Sequence, residues 1–396
     1  MKRLSIFYTL FFLGLFAVTT CTQRNKVSAH DEASKRGLVN EAFGESDFLS
    51  EVTQIVSDGL RSGEAYFSHD GSLLVYQAEK LEENPFYQIY LKDFNGSYGK
   101  EDLLVSNGVG KTTCAWIHPN HQSVLYASTH LDPLAVEKQN EELSRRESGE
   151  QRRYAWDYDP NYDLFSRDFN EIVNQNDFRA VNLTQAWGYD AEGSYSPDGT
   201  KILFASNRHG YTDNYPDDIK QEFEHNPSIL IDLYIMNNDG TGVKRLTNNI
   251  GYDGGPFFNK EGNKIIWRRF DRSGRVGEIM TMDIDLNTLE TSEPKQITHL
   301  NAVSWAPYIH PSGKYMIFTS TYPGGHANFE LMIGRLDGSV PPVRVTETTG
   351  ADVLPVFSPD GNELVWSSQR NEKHQAHVYR AKWNHNTALK ALGYNY

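Results

Sequence analysis

Cysteine is nearly absent, with two residues, Cys21 and Cys114, in 396. Two thiols this far apart form neither a disulfide framework nor a cysteine-based zinc site. Positive charge is scarce as well. With 38 Lys+Arg against 52 Asp+Glu the formal net charge is -14, which argues against nucleic acid, because that affinity rests on basic side chains neutralising phosphate. Past residue 18 no apolar run nears the ~20 residues a membrane-spanning helix needs. There is no His-Glu-x-x-His pair and no Gly-x-Ser-x-Gly elbow, so two common hydrolase chemistries lack their signature groups. What is present is a core-forming composition, 38% hydrophobic, 12% aromatic and 23% charged, which excludes a disordered chain.

Lys2 and Arg3 precede an apolar stretch from Leu4 to Val18, and a polar stretch follows. That order marks an export signal. Val18-Thr19-Thr20-Cys21 resembles the bacterial lipoprotein signal, which implies removal of residues 1–20, acylation of Cys21 and a place on the bacterial cell envelope, facing periplasm or surface. Acyl chains contribute about 0.8 kcal/mol per buried methylene, so a multiply acylated Cys21 anchors durably. Residues 21–46, polar and without periodicity, read as a flexible tether.

From there to residue 383 one unit recurs. Phe67-Ser68-His69-Asp70-Gly71, Ile117-His118-Pro119-Asn120-His121, Tyr195-Ser196-Pro197-Asp198-Gly199, Phe258-Asn259-Lys260-Glu261-Gly262, Ile309-His310-Pro311-Ser312-Gly313 and Phe357-Ser358-Pro359-Asp360-Gly361 each close an apolar stretch with hairpin-turn residues. Five positions past each final residue an aromatic ends a short apolar run: Tyr76, Tyr126, Phe204, Trp267, Phe318 and Trp366. Such runs read as buried strands. A third strand follows each, and a fourth ends in Leu-Thr or its like, Thr or Ser standing 15 positions before the next turn residue. The last repeat lacks this fourth strand, whereas Val56-Ser57 supplies one before the first. The pattern predicts an all-β fold, a six-bladed β-propeller over 47–383 with four-stranded blades, its N-terminal strand closing the last blade and hiding the sheet edges. Residues 384–396 form a C-terminal tail.

The Ser-Pro-Asp-Gly turns, aromatic second strands and Leu-Thr ends resemble the TolB-like propeller family, whose repeats are of the PD40 or WD40-like kind. Arg61 to Tyr66, Tyr189 to Ser194 and the tail Trp383-Asn384-His385 with Ala388 to Gly393 are similar to propellers fused ahead of zinc aminopeptidases of the M28 type. With the chain ending at Tyr396, the resemblance implies a stand-alone version. It implies fold more than function, since such rings serve as docking platforms or enzyme accessories.

Nine and seven positions before each turn residue lie sites expected at the channel mouth, and carboxylates gather there. Glu64, Asp190, Glu192, Asp253 and Asp352, with Trp305 as an apolar platform, are the candidate ligand-binding residues; the alternative is that these carboxylates bond backbone N–H groups between blades. Insertions at about 131–158 and 209–230 fall on the same rim of neighbouring blades, each with a helix, over Leu134–Arg153 and from Pro216 to His225. Long loops on a rigid frame carry function. The expected role is non-catalytic docking, by a monomer, of a protein or peptide partner in the cell envelope. The rival is a metal-dependent lyase or hydrolase, or an accessory subunit of a separate peptidase. No cofactor is assigned. Asp157, Asp159, Asn161, Asp163 and Asp168 mimic a calcium loop but lack its Gly and final Glu, which leaves a divalent cation as a minor alternative. Gly108 to Thr112 mimics a phosphate loop without its first Gly or a following helix. His69, His118 and His310 are expected to be solvated or capping in their turns, Cys114 to be a small buried hydrophobe, and Arg208, Arg269 and Arg370 to pair between blades.

Overall fold

Each Ser-Pro-Asp-Gly turn is fixed by its own side chains. Ser196 Oγ donates to Asp198, whose Oδ1 accepts from Thr200 N at 3.0 Å, while Lys201 N donates back to Ser196 Oγ at 3.0 Å. Ser68 with Asp70 and Ser358 with Asp360 repeat this bonding. The turns therefore set hairpin register locally.

The computed structural model describes residues 43–150, 158–323 and 328–394; the signal 1–20, Cys21 and most of the tether lie outside the described residues. Strand β1 (Leu49–Gln54) comes first. Then β2 (Arg61–Phe67), β3 (Leu73–Glu79), β4 (Gln88–Asp93) and β5 (Leu103–Leu104) form one antiparallel sheet. β6 (Thr112–Ile117), β7 (Ser123–Ser128), β8 (Asp163–Asp168) and β9 (Val181–Asn182) form the next. An eight-stranded sheet holds β10 (Asp190–Tyr195), β11 (Lys201–Ser206), β12 (Leu230–Asn237), β13 (Lys244–Arg245), β14 (Gly251–Phe258), β15 (Lys264–Phe270), β16 (Gly277–Asp283) and β17 (Lys295–Gln296). β18 (Ser304–Ile309), β19 (Tyr315–Ser320), β20 (Glu330–Arg335) and β21 (Val343–Arg344) make a further four-stranded sheet. In the last, β22 (Asp352–Phe357), β23 (Glu363–Ser368) and β24 (His377–Trp383) are joined by β1, which pairs antiparallel with β24 from Leu49↔Trp383 to Gln54↔Tyr379. The result is an all-β, propeller-like ring of small sheets with the N-terminal strand closing it.

All six second-strand aromatics are buried, none more than 1% exposed. They fill the space between neighbouring sheets, where large side chains give most burial per residue. The Leu-Thr ends form clamps. Thr247 Oγ1 donates to Asp232 at 2.9 Å and accepts from Leu233 N at 3.0 Å; Thr184 with Asp163, Thr298 with Glu278, Thr346 with Glu330 and Ser106 with Gln88 repeat it. The fixed spacing of 15 thus reflects a polar anchor between third and fourth strands. His69 is exposed, but His118 and His310 are buried and bond Gly199 O (3.2 Å) and Gly361 O (3.1 Å) of the following turn. Each also caps its own turn as expected, His118 Nδ1 accepting from Asn120 N at 3.2 Å and His310 Nδ1 from Ser312 N at 3.0 Å, but neither is solvated because neighbouring turns close in; a β-carbon on Gly199 would lie 2.5 Å from His118 Nε2.

The tether ends earlier than expected. Phe43 packs on Phe48, ring centroids 5.9 Å apart, and Glu45 pairs with Arg370 at 2.9 Å in helix α1 (Glu45–Phe48). The insertions carry α2 (Ala135–Glu147) and α4 (Asp217–His225), with α3 (Phe169–Val173) between them, and the tail forms α5 (His385–Ala391) against α1. Residues 151–157, which include the expected end of α2 and Asp157, lie outside the described residues.

Candidate functional site

Every inner strand carries one β-bulge, and each bulge places a left-handed residue at the same repeat position. Glu64, Cys114, Glu192, Gly255, Ala306 and Leu354 have φ between 47° and 60°, at the register shifts of β2, β6, β10, β14, β18 and β22. All six line one cavity, with Tyr66, Gly193, Phe257, Arg268 and Trp305. Its volume is about 30 Å³, room for about two waters. Five of the six are not glycine and adopt this backbone at a cost of about 1–2 kcal/mol, so six such bends in register describe a recurring geometry of the repeat.

Glu192 is bound from all sides. It accepts from Arg268 Nη2 at 2.9 Å, Tyr189 Oη at 3.2 Å, Tyr252 Oη, and the backbone N of Gly255 on β14. Glu64, 7% exposed, accepts from Tyr66 Oη (3.1 Å) and from Thr113 Oγ1 on β6 (3.2 Å). Burial, with the Glu192 charge adding to it, pushes the Glu64 carboxyl up against those hydrogen bonds. The same burial and both glutamates push the Cys114 thiol far up, so it stays a buried neutral thiol. Trp305 joins the cavity wall, packs edge-on against Phe329, and its Nε1 has no partner among the described residues.

The three aspartates are elsewhere. Asp190, Asp253 and Asp352 are fully buried and do not line the cavity. Asp190 receives Arg208 Nε and Nη2 at 3.2 and 2.6 Å, Asp253 receives Arg269 at 2.7 and 2.7 Å, and Asp352 receives Arg370 at 3.1 Å and Trp366 Nε1 at 2.8 Å. Each arginine follows or ends the second strand of the hairpin its aspartate begins. These pairs lie within one hairpin, correcting the expectation that the arginines pair between blades. The bulge explains the split: a left-handed residue two positions on breaks strand alternation, so the two levels do not face the same way. The sequence thus places Glu64, Glu192 and Trp305 together and misplaces the aspartates. Arg268 and Tyr252 were missed; the tandem Arg268-Arg269 after Trp267 was the available signal.

Asp159, Asp163, Asp168 and Gly110 of the two mimic motifs have partners within the fold. Asp159 is held by Lys111 and Lys138 (3.1 and 2.7 Å), Asp163 by Thr184 and Asn182, and Asp168 caps α3. No metal-holding group of three or more His, Cys, Asp or Glu occurs among the described residues. Gly110 N donates to Gln139 of α2 and strand β6 follows directly.

The insertions form an arc over the rim. α2 reaches the first sheet through Gln139 Nε2 to Glu83 O and Arg146 to Glu79 and Pro85 O. Lys138 then ties α2 to Asp159, whose charge, after burial, raises the Tyr211 hydroxyl pKa. Tyr211 meets Trp187 edge-on at 6.2 Å and Phe223 of α4 at 5.0 Å, and α4 reaches the loop after β15 through Glu222 and Asp218 to Arg272. Leu131, Leu134 and Val136 of the first insertion, Trp187 (59%) before β10 and Tyr211 (41%) of the second insertion are exposed.

No family model matches the chain. Among solved structures it is similar to the oligogalacturonate lyase of Vibrio parahaemolyticus (12% identity, TM-score 0.50, covering 87% of this chain and 96% of that one). It is similar also to luciferin-regenerating enzyme (12%, 0.50, 83% and 94%) and to TolB from Acinetobacter baumannii (16%, 0.48, 81% and 63%). No described helix is long and apolar enough to cross a membrane. At such identities the two likenesses at TM-score 0.50 speak for the fold, an all-β propeller-like ring, and for nothing of its chemistry.

Proposed function

We propose that this protein is an exported, lipid-anchored, non-catalytic binding propeller of six four-stranded blades that docks a protein or peptide partner on the rim built by its insertions. Six blades follow if the eight-stranded sheet is read as two, because β12 and β14 meet in parallel over only Leu230↔Gly251 and Ile231↔Tyr252; the six bulges around one cavity support that division. The observation that carries the docking role is the exposed Trp187–Tyr211 ring pair on this arc, since adjoining exposed apolar side chains mark interaction sites. The candidate carboxylates support binding elsewhere than the channel mouth: three are locked in arginine pairs and Glu192 is saturated.

Crosslinking of envelopes followed by retrieval of the full chain tests the role. Wild type is expected to retain a partner that Trp187→Ala/Tyr211→Ala loses by at least tenfold. A partner retained equally by both would refute docking on this arc. The anchor rests on Val18 to Cys21 alone. Cys21→Ala is expected to move the protein from the membrane fraction to the supernatant, and continued sedimentation with membranes would refute acylation.

A further inference from the structure

Resting on the docking role just proposed, we infer that the arc takes a positively charged, amphipathic segment of a partner protein. Among its described basic side chains, Lys138 is engaged by Asp132 and Asp159, Arg145 by Glu142, Arg146 by Glu79 and Arg208 by Asp190, while Lys220 on α4 bonds the neutral Asn214. Its exposed carboxylates are not so engaged. Glu137 and Glu141 on α2, and Asp217 and Glu224 on α4, have no ion-pair partner among the described residues. The surface therefore alternates apolar side chains with unneutralised negative charge. Lysine and arginine match both features, with apolar stems to cover Leu134 and Val136 and a cation to meet either a carboxylate or the Trp187 face. The Trp187–Tyr211 edge pair supplies the kind of rigid aromatic anchor on which interface energy concentrates. Sign also decides among occupants: a second copy of this chain at net charge -14, an anionic lipid surface and nucleic acid are all repelled.

The test uses the full chain and three synthetic peptides: an amphipathic helix of Leu, Lys and Trp, the same peptide with Glu for Lys, and a Lys-Gly-Ser peptide of equal charge. The first is expected to bind at 50 mM salt. It should weaken at least tenfold with Trp187→Ala/Tyr211→Ala, at least tenfold with Glu137→Gln/Glu141→Gln/Asp217→Asn/Glu224→Gln, and at least fivefold at 300 mM salt. The other two should bind at least tenfold more weakly. All six substituted side chains are exposed, and unchanged melting temperatures confirm that the variants fold. Equal binding of the Glu peptide, or wild-type binding by the charge variant, overturns the inference. So does a dimer in sedimentation that Trp187→Ala/Tyr211→Ala disperses, because it seats a second copy on the arc. An envelope partner lost with the aromatic variant but indifferent to the charge variant overturns the inference and leaves the docking role standing. A partner indifferent to both overturns the role itself.

Discussion

Asp190, Asp253 and Asp352 were legible as acidic residues at equivalent positions, and their meaning was decided by arginines 16 to 18 residues later in the chain. A buried carboxylate with a bidentate arginine is a cross-link within a hairpin, and removing one member strands the other's charge. Asp253→Asn is expected to cost about 3 kcal/mol, read as a fall in the denaturation midpoint, whereas replacing both Asp253 and Arg269 by apolar residues of similar size should recover most of it. An unchanged midpoint for the single variant would contradict the pair's role. Titration gives a second residue-scale test. Burial pushes Asp190 to about 6 and Glu330 to about 7, and raises Glu64. Asp190 and Glu330 hold protons in the folded state at pH values where the unfolded chain has released them, so their contribution is full below about pH 4 and is lost as pH rises through 6 to 7. For Asp70 burial works upward, but hydrogen bonds from Ser68 and Ser72 bring it to about 2, a contribution lost on acidification below about pH 4. The melting temperature is expected to peak near pH 5 and to fall toward pH 8. Glu330→Gln should flatten that fall; an unaltered slope would deny Glu330 its share.

At the scale of the element, turns and clamps were readable because they are local. Ser, Pro, Asp and Gly fix a hairpin among themselves, and a Thr at constant spacing finds the acid that begins its neighbouring strand. The bulges were invisible, since Glu64, Cys114, Ala306 and Leu354 share a backbone conformation but no side-chain chemistry. Substitution tells the positions apart. Gly255→Ala drives a β-carbon into the Arg268 guanidinium and is expected to cost about 2 kcal/mol. Ala306→Gly loses one methyl but relieves the left-handed bend, and should stay within about 0.5 kcal/mol of wild type; matching losses at the two sites would mean the bend carries no strain. Thr247→Val leaves the buried Asp232 short of a donor and is expected to cost about 1–2 kcal/mol.

The ring as a whole depends on a seam between residues far apart in sequence. β1 covers the edge of β24, and Phe48 stacks on Trp383 at 5.8 Å. Deleting residues 43–54 uncovers that edge, and exposed edges pair with other chains. The shortened protein is expected to aggregate or unfold at lower denaturant in light scattering and chemical melts; a monomer of undiminished stability would remove the latch from the account. Repeat, strand order and closure were determined by the sequence alone, because turn chemistry and strand alternation act over a few residues and each unit repeats them. Which carboxylates face the cavity, which arginines hold the others, and that Tyr211 of the second insertion meets Trp187 were decided only by tertiary structure. Those outcomes depend on where a bulge rotates a side chain and on contacts between residues up to about 75 positions apart, which no local pattern encodes.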